Sequence, residues 1–97
     1  MKSDPGFLHQ LELVIQARRG TAPDQSYTAS LLAAGRQRLA QKVGEEAVEL
    51  ALAGVGDERT SIVAETADLL YHVLVLLAAC DVSLDDVLQE LERRHRS

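Results

Sequence analysis

The chain predicts an all-α fold, a helical bundle of about four to five helices completed by homodimerisation. Three observations carry this expectation. Hydrophobic residues make up 46% of the 97 residues, yet Phe7, Tyr27 and Tyr71 are the only aromatic ones and Trp is absent, so the core must be built from Leu, Val, Ile and Ala. Apolar residues recur at three- and four-residue intervals, and no stretch shows the alternation of a strand. Finally, Leu69, Leu70, Val73, Leu74, Val75, Leu76 and Leu77 make one segment apolar nearly all round. A helix apolar on every side must be buried on every side. One domain spanning 1–97 can hardly surround it, so a second copy is expected to cover the rest.

The elements follow in order. The first helix is expected from about Gly6 to Arg19, with Asp4 as N-cap, Pro5 at the first position and Gly20 as terminator. Its inward face is Phe7, Leu8, Leu11, Val14 and Ile15. Pro23 and Asp24 mark a turn. A short helix from about Thr28 to Ala34 ends at Gly35. The next runs from about Arg36 to Ala53, with Leu39, Val43, Ala47 and Leu50 inward, and carries Gly44 at a cost of about 1 kcal/mol relative to Ala. The segment GVGD reads as a break, with Asp57 capping a helix from about Glu58 to Ala79. Ser83 and Asp86 have the spacing of a capping box. They open a last helix, about Leu84 to Arg94, with Leu84, Val87, Leu88 and Leu91 on one face and a basic end, RRHR, where the helix dipole favours positive charge.

Composition narrows the function classes. The net charge of −5 argues against a nucleic-acid surface, which needs a basic patch. Cys80 is the only cysteine, so no intrachain disulfide is possible and nothing points to an oxidising compartment. It reads as a buried helical thiol. MKSDPGFLHQ has no apolar leader. The run LLYHVLVLLAAC is short for a bilayer span and contains His72. A cytoplasmic protein, away from membranes, is expected.

Two pairs of acids conflict with this apolar setting. Glu46 and Glu49 lie in KVGEEAVEL, and Glu65 and Asp68 in AETADLLYH. Like charges at i, i+3 oppose a helix by about 0.2–0.5 kcal/mol, and burial beside a core costs more unless positive charge compensates. Glu65, Asp68 and His72 share one stripe. Lys42, Glu46 and Glu49 share another on the preceding helix, with Arg38 one turn earlier. Glu45 sits about 100° round from Glu46 and reads as solvated. A short connection makes the two helices antiparallel, so facing stripes would gather four carboxylates. Either pair alone is common on solvated helices. Both together, one of them within an apolar rod, point to a metal. His72 reads as a satisfied core residue, or one that supports the ligands from behind, rather than as a ligand itself.

Oxygen donors without cysteine suit a hard cation, Mg²⁺, which commonly bridges carboxylates and substrate phosphates. A di-iron bundle would want a Glu-x-x-His pair on two helices, and zinc would want His or Cys at ligand spacing; neither occurs. A bound Mg²⁺ turns a repulsive acidic patch into a phosphate site and acidifies water for attack on phosphorus. Arg36, Arg38 and Lys42 are the candidate phosphate contacts. There is no glycine-rich phosphate loop.

The order Glu-Glu-x-x-Glu followed by Glu-x-x-Asp resembles the all-α, MazG-like nucleoside-triphosphate pyrophosphohydrolases. A longer likeness runs from Leu8 to His95. SYTASLLAAGRQRLAQKVGEEAVELALA, ETADLLYHVLVLLA and VSLDDVLQELERRH resemble the phosphoribosyl-ATP pyrophosphohydrolase family. That resemblance implies hydrolysis of phosphoribosyl-ATP to phosphoribosyl-AMP and pyrophosphate, the second step of histidine biosynthesis, by an Mg²⁺-dependent homodimer. It carries metal binding and catalysis to Glu46, Glu49, Glu65 and Asp68, and phosphate contact to Lys42. Ser26 to Thr28 and Gly35 to Arg36 match the family's Ser-Tyr-Thr and Gly-Arg segments, which suggests substrate contact. Some members are fused to a cyclohydrolase, which 97 residues cannot include, so this chain is expected to act alone. Two other readings share parts of the pattern: a house-cleaning hydrolase of free nucleotides, and a helical dimerisation module with solvated acidic faces.

Overall fold

A computed structural model describes residues 3–96; Met1 and Lys2, the start of the segment read as lacking a leader, lie outside the described residues, as does Ser97. Helices α1 (Phe7–Ala17), α2 (Tyr27–Ala34), α3 (Arg36–Gly56), α4 (Arg59–Ala79) and α5 (Leu84–His95) are joined by short turns, with one 3-10 turn at Pro23–Gln25. No strand occurs among the described residues. The all-α expectation holds.

The caps explain most boundaries and correct several. Asp4 does not cap α1. Its carboxylate accepts from Gly6 N at 2.8 Å and its carbonyl from Phe7 N at 3.0 Å, a turn that moves the N-cap to Gly6. The helix then stops at Ala17, before Gly20, which takes φ 79° in the following turn. Ser26 caps α2 by accepting from Ala29 N at 2.9 Å, so that helix begins at Tyr27. Gly35, at φ 92°, separates α2 from α3; a side chain there would be strained.

The expected break at GVG is absent. The i→i−4 ladder continues to Gly56 and closes with Asp57 N on Ala53 O at 3.1 Å. Asp57 is the left-handed C-cap at φ 60°, a conformation Asp tolerates better than most residues. The N-cap of α4 is therefore Glu58, which accepts from Thr60 N at 3.2 Å. Ser83 and Asp86 form both bonds of the capping box on α5. Glu12 of α1 adds a third contact at that end, accepting from Leu84 N at 2.7 Å.

A turn of only Asp57 and Glu58 folds α4 back along α3 as an antiparallel hairpin. The other helices cover one end of it. The core joins Ile15, Leu31, Leu39, Leu74, Val75, Ala78 and Leu84, with Leu8, Leu11 and Leu88 packed against it. Hence the fully buried apolar residues of the hairpin lie in the first turns of α3 and the last turns of α4, and its tip projects beyond the core.

Several residues expected inside are therefore exposed in a single chain. Phe7 and Val14 of α1, Leu70 of α4, and Val87 and Leu91 of α5 are exposed, as is Ala47. Val48, Leu52 and Val55 form an exposed i, i+4, i+7 stripe on α3, and Val63 with Leu70 forms another on α4. Cys80 is half-buried. By length and composition alone α4 is long enough to cross a bilayer, because the helix extends well before the apolar run, but that extension carries Glu65 and Asp68.

Candidate active site

The carboxylates sit on the hairpin just outside the core. Helical period puts Glu46 and Glu49 on one stripe of α3, and the antiparallel fold brings Glu65 of α4 opposite, about as far from the turn as Glu49 is. Each of the three offers an oxygen, and these oxygens all lie within 4.8 Å of one another. Glu46 is 8% exposed, Glu65 is half-buried and Glu49 is exposed, so the cluster opens toward solvent on one side.

Its polar accounting does not close. Glu46 Oε2 and Glu65 Oε2 are buried with no hydrogen-bond partner. A buried polar atom left unsatisfied costs about 1–3 kcal/mol, more when charged. Lys42 compensates in part: its Nζ lies 3.5 Å from Glu46 Oε1 and 3.7 Å from the exposed Glu45. Three convergent acids, two orphaned oxygens and one lysine leave a surplus of negative charge. That donor set, oxygen only and open on one side, fits a hard divalent cation that keeps some positions for water or phosphate.

The remaining expected residues are placed as follows. Asp68 is exposed one turn beyond Glu65 and is not a member of the three-glutamate cluster. Arg38 is exposed on α3. Arg36 is exposed at the start of α3, where it lines a separate cleft.

A layer of polar contacts, whose residues the sequence marked without showing their pairing, backs the site. His72 is buried; its Nδ1 lies 2.7 Å from Asp68 O, and its Nε2 lies 3.1 Å from Tyr27 OH. Thr28 Oγ1 and Tyr71 OH are hydrogen-bonded. The rings of Tyr27 and Tyr71 stack, and His72 meets both edge-on. Thus the SYT segment docks on the LLYH segment beside the acids. The polar stripe of α4 pointed to His72; no local pattern pairs it with Tyr27. Arg18 and Arg19 line the same cleft as Arg36, and no motif in the sequence marks them. Their only signal was the dipeptide at the end of the first helix.

Comparison with known proteins places the sequence in a family. A sequence model of the family described as phosphoribosyl-ATP pyrophosphohydrolase matches residues 8–95. The phosphoribosyl-ATP pyrophosphatase of Trichlorobacter lovleyi is 53% identical over 94 residues, covering 97% of this chain and 87% of that protein. Its counterpart in Ruegeria pomeroyi is 54% identical over 88 residues, covering 91% and 84%. The histidine biosynthesis bifunctional protein HisIE of Vibrio vulnificus is 51% identical over 90 residues, which are 93% of this chain but 43% of that protein. The chain thus spans less than half the length of its bifunctional relatives. With the match running through both acidic stripes, the SYT segment and the final helix, this chain belongs to the phosphoribosyl-ATP pyrophosphohydrolase family.

Proposed function

We propose that the protein hydrolyses phosphoribosyl-ATP to phosphoribosyl-AMP and pyrophosphate in histidine biosynthesis. The observation that carries this reading is the cluster of Glu46, Glu49 and Glu65, with two buried oxygens lacking partners, inside a family match over 8–95. The cofactor is Mg²⁺, which the three glutamates would hold; Asp68, one turn beyond Glu65 and outside their cluster, would join them only by turning its exposed side chain toward the ion. When bound it supplies neutralisation of phosphoryl oxygens and acidification of water. The chain's own residues do the rest. Lys42 balances Glu46 and offers charge to a phosphate. Arg36 and Arg38 offer further cations to the substrate. A carboxylate not fully engaged accepts the proton of the attacking water. Water adds to phosphorus, the α–β anhydride breaks, and pyrophosphate leaves.

The working form is a homodimer. The exposed stripes Val48–Leu52–Val55 and Val63–Leu70 lie on the hairpin tip that carries the acids. A second hairpin laid on them would give a four-helix arrangement and draw the site out of water. The setting is cytoplasmic, without nucleic-acid or membrane partners.

The test is pyrophosphate release from phosphoribosyl-ATP, with and without Mg²⁺, against a panel of free ribo- and deoxynucleoside triphosphates. Mg²⁺-dependent turnover of phosphoribosyl-ATP is expected. Turnover of the panel alone would overturn the substrate and favour a house-cleaning hydrolase. No turnover of either would favour a dimerisation module.

A further inference from the structure

A cleft of about 580 Å³ opens where the end of α1, the face of α2 and the start of α3 meet. Arg18, Arg19 and Arg36 line it, over a floor that includes Ala29, Leu32 and Ala33. Arg19 is engaged by Asp81 at 2.8 Å. Arg18 and Arg36 have no carboxylate partner among the described residues. Two arginines without a carboxylate partner, lining one cleft with a third in a chain of net charge −5, are not explained by solubility. They do not brace the core either, since both are exposed. Arginines lining a concave surface suit a phosphate, which a guanidinium binds in a planar, bidentate fashion. The cleft volume lies in the ordinary range for small-molecule sites, about 300–1,000 Å³.

The start of α3 adds to this positive field. Its N-cap, Gly35, also lines the cleft and offers no capping side chain. The first-turn N–H groups of this 21-residue helix therefore remain available to an acceptor.

The cleft is distinct from the carboxylates. Arg36 and Glu46 share α3, and ten residues of helix separate them by about 15 Å. Phosphoribosyl-ATP carries phosphate at two ends: the triphosphate on one ribose and a 5′-monophosphate on the other, with the purine between. A free nucleoside triphosphate has only the first. We propose that the arginine cleft binds the 5′-phosphate of the phosphoribosyl arm while the glutamates address the triphosphate. This rests on the activity assigned above. It makes Arg18 and Arg36 the residues that select phosphoribosyl-ATP over free nucleotides.

Ribose 5-phosphate is the probe, titrated into the full chain and followed by amide NMR, with ribose as control. Ribose 5-phosphate, but not ribose, is expected to shift the resonances of Gly20, Ala33 and Gly35. The double variant Arg18→Ala/Arg36→Ala should lose that response while keeping its melting temperature. Its KM for phosphoribosyl-ATP should rise at least tenfold, with most of the loss in KM rather than kcat. Failure of wild type to respond, or an unchanged response or KM in the double variant, would overturn the proposal. Because the binding readout needs no turnover, it is separable from the activity. A wild type that binds ribose 5-phosphate but does not hydrolyse phosphoribosyl-ATP would overturn the assigned activity, and with it the assignment of the cleft to that substrate arm.

Discussion

The phenol of Tyr27 donates its hydrogen to Nε2 of His72 at 3.1 Å, and the direction follows from the other ring nitrogen. His72 Nδ1 lies 2.7 Å from the carbonyl oxygen of Asp68, which can only accept. In the neutral ring Nδ1 therefore carries the hydrogen and Nε2 accepts. One buried imidazole thus ties the start of α2 to the turn of α4 that bears Asp68.

Removing the phenolic hydroxyl would strand a buried acceptor. Tyr27→Phe is expected to cost about 1–3 kcal/mol in urea unfolding. His72→Leu should lose both bonds and cost at least as much, whereas His72→Gln, which keeps an acceptor for Tyr27, should retain part of the stability. Equal stability of Tyr27→Phe and wild type would show that the bond contributes nothing.

The glutamate cluster should respond to metal in a defined direction. Mg²⁺ at 100 times its Kd should stabilise wild type by about 2.7 kcal/mol through mass action, read as a rise in Tm. Glu49→Gln or Glu65→Gln should abolish that rise and eliminate turnover. Metal-free, either variant should be at least as stable as wild type, because repulsion within the cluster is relieved. A wild-type Tm indifferent to Mg²⁺ would count against the metal site.

Core and tip leucines should separate the single chain from the assembly. Leu39 is 0% exposed, and Leu39→Ala should cost about 2–5 kcal/mol. Leu52 is 68% exposed, so in an isolated chain Leu52→Ala should fall within about 0.5 kcal/mol of wild type. In a dimer that uses the α3 stripe, Leu52→Asp should shift the protein toward monomer in sedimentation. An unshifted dimer would move the interface to another face.

Strong acid should loosen the end of α5. The Glu90 carboxyl is held below its ordinary value by its bond to Arg93 first and to Arg94 second. A depressed carboxylate contributes stability that is present above its unfolded-state pKa and lost as pH falls through the lower folded value. Helical chemical shifts of Arg93 to His95 should therefore fall away over that acidic window. In Glu90→Gln the same signals should show no such step. Both groups are solvent-exposed, so global stability should change little.

Much of the helical plan was legible because its signals are local. Ser83 and Asp86 form the capping box their spacing announced, and Gly35 divides α2 from α3 at a positive φ. Misreadings came where two local devices competed. Asp4 closes a turn before α1 instead of capping it. Gly54 and Gly56 stay helical because glycine only weakens a ladder that Asp57 can close one residue later. The apolar faces of α1 and α5 are visible in the sequence as faces. Phe7, Val14, Val87 and Leu91 nonetheless lie outside the single-chain core, because periodicity states which side is apolar and not whether anything covers it.

By itself the sequence determined the acidic stripes, since Glu46 with Glu49 and Glu65 with Asp68 share a face at 100° per residue wherever the helices lie. It also determined the family, through strings that extend well beyond those acids. Only the tertiary structure decided that Glu65 meets Glu46 and Glu49 while Asp68 stays outside. It alone paired Tyr27 with His72 and set Arg18 beside Arg36 around one cleft. The physical reason is that helical period fixes angles within one rod. The rotation and offset between rods come from how Leu39, Leu74, Val75 and their neighbours pack, and no spacing along the chain encodes that sum of many small contacts.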